Sequence, residues 1–581
     1  MFLRTTRVTV CVVICAGSLA AQTAQSPVES VVQRNKAPQW TAHEKARGFV
    51  VCTDHWMRPM LDVFAPTREQ IVDELSCALA RGEYESLQVG VHALKDLGPV
   101  KMTVELDLPV QAYRFLYSAR DLTIPTSPGE DQRLLKKQPV KLPYYLFPEA
   151  EHKQVDVRTG HGLSRLGKTV GFWLTIQAPA QAAPGVHRGV VRITANGQEI
   201  QLPLQVTVRD FVLPRPDIAF GMYFDFPHRF PKDYSGPKYE RMYYEDMAAH
   251  GMNSVTVARP ALWDPEGHFN EAQMTEKFTM MAEAGLLDGT QPVMHLSAQW
   301  DAKKLRSRAA EILAELRRLE RRYDWPHILV YGYDEPKGNF DAIIEIMRPW
   351  VEAGCEFITA FTSRDAIRAL APSFAATVVV PPEMHEYVKK VVEEAGSELW
   401  TYDCHTHGYS PIYMRCYAGL FSWNAGVKGN FVWAYTHSHS DYYTDTVQPN
   451  GTGIVMVQAD KASAVTVSQL SFTRAVPGPK GPIPTIGWEA RREGVDDYRY
   501  LQLLRDTAAA PDADPTVVGE VNQWFETLKS LVVWHHLPQR FQDPVNGRDF
   551  IDPYAEVTPQ RYDQIRSEAA NFVMRLRKAV P

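Results

Sequence analysis

The sequence has few cysteines and no cysteine pair with the spacing of a metal or redox site. Two of its seven cysteines lie within the first 15 residues, and the other five are far apart along the chain. An odd number of widely spaced cysteines does not predict a disulfide framework, and without a CxxC pair no cysteine zinc site is expected. A single bridge between Cys52 and Cys77 fits the spacing, but the pattern favours buried free thiols.

The chain also lacks an excess of positive charge. Lys and Arg number 62 against 68 Asp and Glu, which gives a formal net charge of −6. Such a chain has no overall basic field, so we expect no nucleic-acid partner. Charged residues make up 22% and hydrophobic residues 45%, which is typical of a globular protein and excludes a mostly disordered chain.

Long hydrophobic runs are missing except near the N-terminus, where the run is too short to cross a membrane. This run, Val8–Ala16, follows two arginines and precedes a series of small residues. The order predicts a secretory signal peptide over residues 1–20. We therefore expect an exported protein, periplasmic or extracellular, with no membrane span. Cys15 would permit a lipid anchor, but the bulky residue before it disfavours one.

The rest of the chain shows two successive patterns of hydrophobic residues. A polar linker over residues 21–45 leads into residues 46–214, where short alternating runs are broken by Pro and Gly. This pattern predicts an antiparallel β-sandwich. In residues 215–508 apolar runs alternate with amphipathic helices, and residues 509–581 predict a helical C-terminal extension.

The alternation over residues 215–508 predicts a (β/α)8 barrel. Most of its helices end at a glycine, the usual residue just past a helix. An open doubly wound sheet alternates in the same way, but the count of eight strands and the missing dinucleotide-binding glycine fingerprint favour the barrel. The predicted strands are residues 218–224, 253–258, 291–296, 327–333, 355–361, 374–380, 398–403 and 430–435.

Two adjacent carboxylates, Asp334 and Glu335, end the fourth predicted strand in the segment Tyr331–Pro336 (YGYDEP). Active sites of such barrels lie at the C-terminal ends of the strands. Neighbours in a regular strand point to opposite faces, but a break in the pleat would let both reach the mouth. Pro336 is expected to keep Glu335 extended. Paired carboxylates in unequal environments suit glycoside hydrolysis. The alternative is that Asp334 caps the next helix and Glu335 is a solvated loop residue.

Aromatic and polar residues follow several other predicted strands. Aromatic faces can stack on sugar rings while nearby polar groups bind hydroxyls, which predicts a glycan as the partner. Packing in the core is the competing role for each aromatic residue. The predicted substrate-binding residues are Asp225, Arg259, Trp300, Tyr333, Trp400, Tyr402, His405, Trp433, Tyr435 and His437.

Four histidines indicate a rival class of enzyme. His405 and His407 follow the seventh strand, and His437 and His439 follow the eighth. Each pair has the spacing that places both rings on one strand face, and imidazole clusters bind zinc. The rival is therefore a metal hydrolase. Metal-dependent hydrolases of this barrel type usually carry an HxH pair at the end of strand 1, which is missing here, so we expect neither a metal nor a cofactor.

The segment around the two carboxylates resembles the strand 4 motif of glycoside hydrolase family 123 and its relatives. The resemblance extends from about residue 48 to residue 505, and it is more specific to the superfamily than to the sugar. It implies a β-N-acetylgalactosaminidase. The other similar stretches are Arg81–Ser86 (RGEYES), the series Arg415, Trp423, Gly429 and Trp433, and Trp488–Tyr498 (WEARREGVDDY).

The resemblance implies substrate-assisted catalysis by a retaining, exo-acting enzyme. In that scheme the 2-acetamido oxygen of the sugar attacks the anomeric carbon, an exception to the use of an enzyme nucleophile. Asp334 would orient the acetamido N–H, and Glu335 would protonate the leaving oxygen and then activate water. The acids can then be adjacent, because no enzyme nucleophile has to face the acid across the ring. The alternatives are a related glycosidase for a sugar without the acetamido group and a non-catalytic carbohydrate-binding protein.

Overall fold

The structure is a computed structural model. It describes residues 39–58, 60, 64–123, 137–148, 150–155, 169–227, 230, 232–258, 260–295, 303–404, 411–436, 454–455, 473–531 and 557–578. The predicted signal peptide lies outside these residues, as does most of the predicted linker. The predicted site residues that also lie outside them are Arg259, Trp300, His405 and His437.

Ten strands form the two sheets of an N-terminal sandwich. They are β1 (Phe49–Cys52), β2 (Leu75–Arg81), β3 (Glu83–Ala93), β4 (Gly98–Glu105), β5 (Val110–Thr123), β6 (Lys137–Phe147), β7 (Glu151–Val155), β8 (Thr169–Ala178), β9 (Gly185–Ala195) and β10 (Gln198–Val212). One sheet has the order β1-β3-β8-β5 with β6 paired to β5, and the other has the order β2-β10-β9-β4-β7. The sandwich is confirmed, although β10 pairs with β2 in parallel rather than in the predicted antiparallel direction.

Alternation along the strands explains why the two sheets pack together. In β10 every second residue from Leu202 to Val208 is buried, and those between are exposed or half-buried. These side chains share one cluster with Val89 of β3 and Phe172 of β8 in the opposite sheet. Each fully buried apolar side chain of this size contributes about 1.5–3 kcal/mol. The period of two in the sequence thus becomes the core of the sandwich.

Eight parallel strands form the predicted barrel, and all eight predicted strands are confirmed. They are β11 (Ala219–Met222), β12 (Thr256–Val257), β13 (Val293–His295), β14 (Ile328–Asp334), β15 (Phe357–Ala360), β16 (Ala375–Val380), β17 (Glu398–Asp403) and β18 (Gly429–Val432). Hydrogen-bonded neighbours run in the order β11-β18-β17-β16-β15-β14-β13-β12. The N–H groups of Asn253 and Ser254 donate to the carbonyl oxygen of Phe220 at 3.0 and 3.1 Å, which brings the two ends of this order together.

Helices surround the barrel and continue into the C-terminal part of the chain. They are α1 (Ala42–Arg47), α2 (Pro237–Ala249), α3 (Glu271–Glu283), α4 (Ala309–Tyr323), α5 (Phe340–Glu352), α6 (Arg364–Phe374), α7 (His385–Glu394), α8 (Pro411–Cys416), α9 (Ser422–Ala425), α10 (Ile486–Ala508), α11 (Pro515–Leu531) and α12 (Pro559–Lys578). Ile312, Leu316 and Leu319 form the buried stripe of α4, at the spacing of one helix face. Gly354 and Gly396 end α5 and α7 with φ angles of 86° and 68°, as the sequence predicts.

Shorter elements complete the described chain. Strand β19 (Ile454–Val455) pairs with β5, and β20 (Ala475–Val476) forms a hairpin with β21 (Ile483–Pro484). No helix within the described ranges has both the length and the apolar character needed to cross a membrane. The cysteines that follow the predicted signal peptide are free thiols, as the sequence favours: Cys52, Cys77, Cys355, Cys404 and Cys416.

A cluster of buried side chains fills the barrel and fixes the position of Trp400. Trp400 and Tyr402 both point inward because they are two residues apart on β17. Trp400 lies deeper, at the level of Gly429, the first residue of β18. Its indole stacks on Phe431 at 5.5 Å between ring centroids. Trp400 is therefore a core residue, and the predicted contact between Trp400 and substrate is wrong.

The packing of Trp400 leaves no room for a side chain at position 429. A Cβ atom there would lie 2.1 Å from Cδ2 of Trp400. Because protein interiors are close-packed, the indole would have to shift. We expect Gly429→Ala to lower the free energy of unfolding by about 1–3 kcal/mol, measured by urea denaturation. Gly338→Ala is the control, since nothing lies within 4 Å of its Cβ position. Equal stability of the two variants would contradict this packing.

Candidate active site

A β-bulge places the two carboxylates at the mouth of the barrel. Tyr331 of β14 pairs with Ile358 of β15, but the next paired position joins Asp334 to Ala360, so β14 has one extra residue. A bulge re-aims the side chains that follow it, and bulges are frequent beside active sites. The bulge brings Tyr331 and Asp334 to the same side of β14, and the break in the pleat between Asp334 and Glu335 lies at Glu335 itself.

Glu335 has a left-handed backbone, with a φ angle of 44°. The predicted extended conformation of this residue is therefore wrong. Its N–H donates to the carbonyl oxygen of Ala360 at 3.1 Å, which holds the turn against the restriction imposed by Pro336. A left-handed non-glycine residue costs of order 1–3 kcal/mol, and such residues cluster at functional sites. The strain lies at the residue that the sequence nominates as the acid.

Each carboxylate accepts a hydrogen bond from a tyrosine inside the barrel. The hydroxyl of Tyr331 donates to Oδ1 of Asp334 at 2.8 Å, and that of Tyr402 donates to Oε1 of Glu335 at 2.6 Å. Both tyrosines belong to the cluster that fills the barrel. Both acids therefore face the barrel mouth, and neither points into the helix layer. Asp334 is exposed and Glu335 is half-buried, so their environments differ.

The tyrosines around the carboxylates keep their protons. Burial is the main cause that raises the pKa of Tyr223, Tyr331 and Tyr402, and the nearby carboxylates Asp334 and Glu335 add to it. A neutral phenol has one hydrogen-bond donor. Tyr331 and Tyr402 therefore act as fixed donors to the carboxylates across the working range of an enzyme.

Cys404 lies at the same mouth, directly after β17, but its thiol is not activated. Burial raises its pKa, and the charges of Asp403, Glu335 and Asp334 raise it further. The thiolate is the nucleophilic form of cysteine, and here it is disfavoured. This thiol is therefore a poor nucleophile.

Trp433 is a predicted aromatic residue that keeps part of its surface exposed beside the barrel mouth. It directly follows β18, is half-buried, and packs against the cluster inside the barrel. Its ring lies 5.2 Å from the ring of Tyr223, measured between centroids. Tyr223 in turn interacts with the charges of both carboxylates, so Trp433 borders the same site. Asp225 lies beyond the end of β11 and is half-buried.

Two tyrosines predicted to bind substrate pack outside the barrel interior. The hydroxyl of Tyr435 donates to Oδ2 of Asp246 on α2 at 2.8 Å, and its buried ring contacts Phe224 and Trp488. Tyr435 is thus a core residue, and its predicted substrate contact is wrong. Tyr333 packs against the hydrophobic cluster outside the barrel. Tyr333 lies within the bulge of β14, and Tyr435 lies beyond Val432, the last ladder residue of β18.

The metal alternative falls on residues outside the described ranges. His405, His407, His437 and His439 all lie there. Over the ranges that the structure describes, no group of three or more His, Cys, Asp or Glu side chains could hold a metal ion.

Sequence reasoning missed Tyr331 as a member of the site. The available signal is Gly332 beside it, because glycine inside a strand often marks a bulge. A bulge at this position keeps Tyr331 facing inward and returns Asp334 to the same side within three residues. The phenol and the carboxylate can then meet.

Comparison with known proteins agrees with the fold. No family model and no curated protein matches the sequence. A solved structure of a family 123 glycoside hydrolase from Clostridium perfringens, described for glycolipid glycan hydrolysis, aligns over 91% of this chain and 99% of its own. The identity is 11% and the TM-score is 0.62, a likeness that shows a shared fold. It is a structure of the family that the sequence motifs resemble.

Two further solved structures align less well. A family 10 endo-β-1,4-xylanase from Gloeophyllum trabeum covers 48% of this chain and 97% of its own, at 12% identity and a TM-score of 0.32. An endo-β-1,4-mannanase from Thermotoga petrophila covers 48% of this chain and 76% of its own, at 11% identity and a TM-score of 0.28. Scores this low do not establish a shared fold.

Proposed function

We propose that the protein is a retaining glycoside hydrolase that acts on a β-linked 2-acetamido-2-deoxy sugar, with a β-N-acetylgalactosaminide as the favoured substrate. One observation carries the proposal: two adjacent carboxylates, Asp334 and Glu335, lie at the barrel mouth, and each accepts a hydrogen bond from its own buried tyrosine. The motif resemblance to family 123 and the fold shared with a solved member of that family support it.

Glu335 fits the role of general acid. It is half-buried, and Tyr402 fixes the direction of its carboxyl group. In the first step its proton moves to the glycosidic oxygen as the bond from C1 to that oxygen breaks. The electron pair of the broken bond stays on the leaving oxygen. On the other face of the sugar, the 2-acetamido oxygen bonds to C1 and closes an oxazolinium ring.

Asp334 fits the role of the group that orients the acetamido function. It is exposed at the mouth, and its Oδ1 accepts a hydrogen bond from Tyr331. As the ring closes, positive charge develops on the acetamido group, and a fixed carboxylate that accepts its N–H stabilises that charge. In the second step Glu335 takes a proton from water, which attacks C1 and opens the ring. Two displacements at C1 give net retention.

Trp433 and Asp225 supply the binding surface in this proposal. Trp433 would stack on a face of the sugar ring, and Asp225 would accept a bond from a hydroxyl group. A glycan outside the cell as the substrate also agrees with the export that residues 1–20 predict.

A panel of 4-nitrophenyl glycosides tests the proposal. We expect release of nitrophenol from the 2-acetamido-2-deoxy-β-galactoside and none with the double variant Asp334→Asn/Glu335→Gln. Hydrolysis restricted to the 2-hydroxy counterparts would favour the related glycosidase. Sugar binding without release from any substrate would favour the carbohydrate-binding protein. Activity lost to a chelator and restored by zinc would favour the metal hydrolase.

Asp334→Asn should impair every substrate to a similar extent. The acetamido group must be stabilised whatever leaves, so we expect a loss of roughly 10²–10³-fold in kcat/KM on both a disaccharide and an activated aryl glycoside, typical of losing one electrostatic stabiliser. Steady-state kinetics with the two substrates measures the effect. A loss confined to the substrate with the poorer leaving group would contradict this role.

A further inference from the structure

The contact between Tyr402 and Glu335 crosses the barrel. Tyr402 belongs to β17 and Glu335 follows β14, with β15 and β16 between these two strands. The phenol therefore reaches Oε1 of Glu335 through the interior, at 2.6 Å. Within the described part of the chain, Oε2 of Glu335 has no hydrogen-bond partner. The two oxygens of the carboxyl group therefore differ in hydrogen bonding: Oε1 accepts from the phenol, and Oε2 accepts from none of the described residues.

In this contact Tyr402 can only be the hydrogen-bond donor. Burial raises its pKa, and the hydrogen bond to Glu335 raises it further, so the phenol keeps its proton and donates it. A protonated carboxyl group carries its proton on one oxygen. The carbonyl oxygen of a protonated carboxyl group accepts a hydrogen bond better than its hydroxyl oxygen does. Since the phenol donates to Oε1, the proton of Glu335 belongs on Oε2.

We infer that Tyr402 is a positioning residue, which assigns the transferred proton to Oε2 of Glu335. The inference rests on the proposed role of Glu335 as general acid. In the first step Oε2 gives its proton to the leaving oxygen, and in the second step the same Oε2 takes a proton from water. The phenol keeps its own proton throughout. Tyr402, which the sequence nominates as a substrate contact, acts through the acid.

Tyr402→Phe tests the inference because it removes the hydroxyl and keeps the ring. Misplacing a reacting group by about 1 Å can cost 10²-fold. We therefore expect the rate of hydrolysis of a disaccharide of the hydrolysed sugar to fall roughly 10-fold to 10²-fold. Single-turnover release of dinitrophenol from its 2,4-dinitrophenyl glycoside, which reports the first step alone, should fall less than about threefold, because this leaving group needs little protonation. KM should change little on either substrate, since in this inference the phenol donates to Glu335 and not to the sugar.

Tyr244→Phe is the matched control. Tyr244 is also buried and donates to a glutamate, Glu240, at 2.7 Å, but it lies on α2 outside the barrel. Its loss should lower the thermal unfolding midpoint without a difference between the two substrates. The unfolding midpoint of Tyr402→Phe, measured beside it, separates a loss of stability from a loss of positioning.

The double variant Tyr402→Phe/Glu335→Gln completes the test. A residue that acts through Glu335 has nothing left to position once the acid is gone, so the double variant should match Glu335→Gln within about twofold. The inference would be overturned if the loss of the double variant were the product of the two single losses. It would also be overturned if Tyr402→Phe slowed both substrates equally. Either result would leave Glu335 as the acid. Full activity of Glu335→Gln would overturn both the inference and the proposed function.

Discussion

Glu335→Gln should lose roughly 10²–10⁴-fold in kcat/KM on a disaccharide of the hydrolysed sugar, the typical contribution of a general acid. A sugar alcohol leaves poorly without a proton, so the missing acid affects this substrate most. On a 2,4-dinitrophenyl glycoside the first step should fall far less, because the leaving group is stable as an anion. Single-turnover release of dinitrophenol, compared with disaccharide hydrolysis, measures the difference.

Glu398→Gln is the control for this experiment. Glu398 begins β17, so it lies at the opposite end of the barrel from the mouth, where it accepts a bond from the indole of Trp400 at 3.2 Å. A carboxamide oxygen can still accept that bond, and both substrates should react at wild-type rates. Equal losses on the two substrates for Glu335→Gln would contradict its role as proton donor.

Arg566→Met should lower the free energy of unfolding by about 3–5 kcal/mol, the effect of removing one partner from a buried ion pair. Arg566 lies on α12 and is buried. Its guanidinium group contacts carboxylate oxygens of four acids at 2.8–3.0 Å. These acids are Glu83 and Glu85 of β3, and Glu493 and Asp497 of α10. Without Arg566 they would be buried next to each other with less compensating charge.

The loss for Arg566→Met should depend on pH. Burial raises the pKa of Glu83 from 4.5 to about 7, and it also raises the pKa values of Glu85 and Glu493. A carboxyl group whose pKa is higher in the folded state stabilises the fold below its unfolded pKa and loses that effect as the pH rises through the folded value. The charge of Arg566 lowers the pKa values of these three acids, so without it the values rise further. As the pH rises above about 4.5, the variant should therefore lose stability more steeply than the wild type, because the ionised acids lack their cation.

Urea denaturation at about pH 5 and about pH 8 measures this dependence. Arg575→Met is the control, since Arg575 pairs with Glu520 on the protein surface at 2.7 Å. A surface pair contributes about 0–1 kcal/mol, so the control should change little at either pH. An equal loss at both pH values, or a larger loss at pH 5, would contradict the role of Arg566 as the cation that compensates these acids.

The barrel and its candidate acids were predictable because both depend on local sequence. Apolar runs and helix-ending glycines fix the order of elements, and the strand-end rule then selects Asp334 and Glu335. The bulge and the left-handed turn at Glu335 were not predictable. They depend on the register of β14 against β15 and on a hydrogen bond to Ala360, and neither leaves a periodic signal in the sequence.

The errors at Trp400 and Tyr435 have a different cause. The strand-end rule selects residues by their position along the chain, but depth and face decide whether a side chain reaches a ligand. Trp400 lies one layer too deep, beside Gly429, and Tyr435 faces α2. The register of β17 against β18 separates Trp400 from Tyr402, and the contact with α2 separates Tyr435 from it.

Two of the family-like motifs are explained by packing rather than catalysis. Arg81–Ser86 supplies Glu83 and Glu85, and Trp488–Tyr498 supplies Glu493 and Asp497. The structure brings all four acids to Arg566, between the sandwich and the barrel. These motifs therefore indicate how the two parts of the chain are joined, whereas the carboxylate pair carries the proposed chemistry.

The inhibition constant of a galactose-configured thiazoline tests the proposed mechanism most directly. This compound mimics the cyclic oxazolinium intermediate, and analogues of high-energy states bind 10²-fold or more tighter than substrates. Substrate-assisted catalysis predicts competitive inhibition with a constant at least about 10²-fold below the KM of the aryl 2-acetamido-2-deoxy-β-galactoside. An enzyme that hydrolyses this glycoside but is not inhibited by the thiazoline would contradict the mechanism and favour a carboxylate nucleophile.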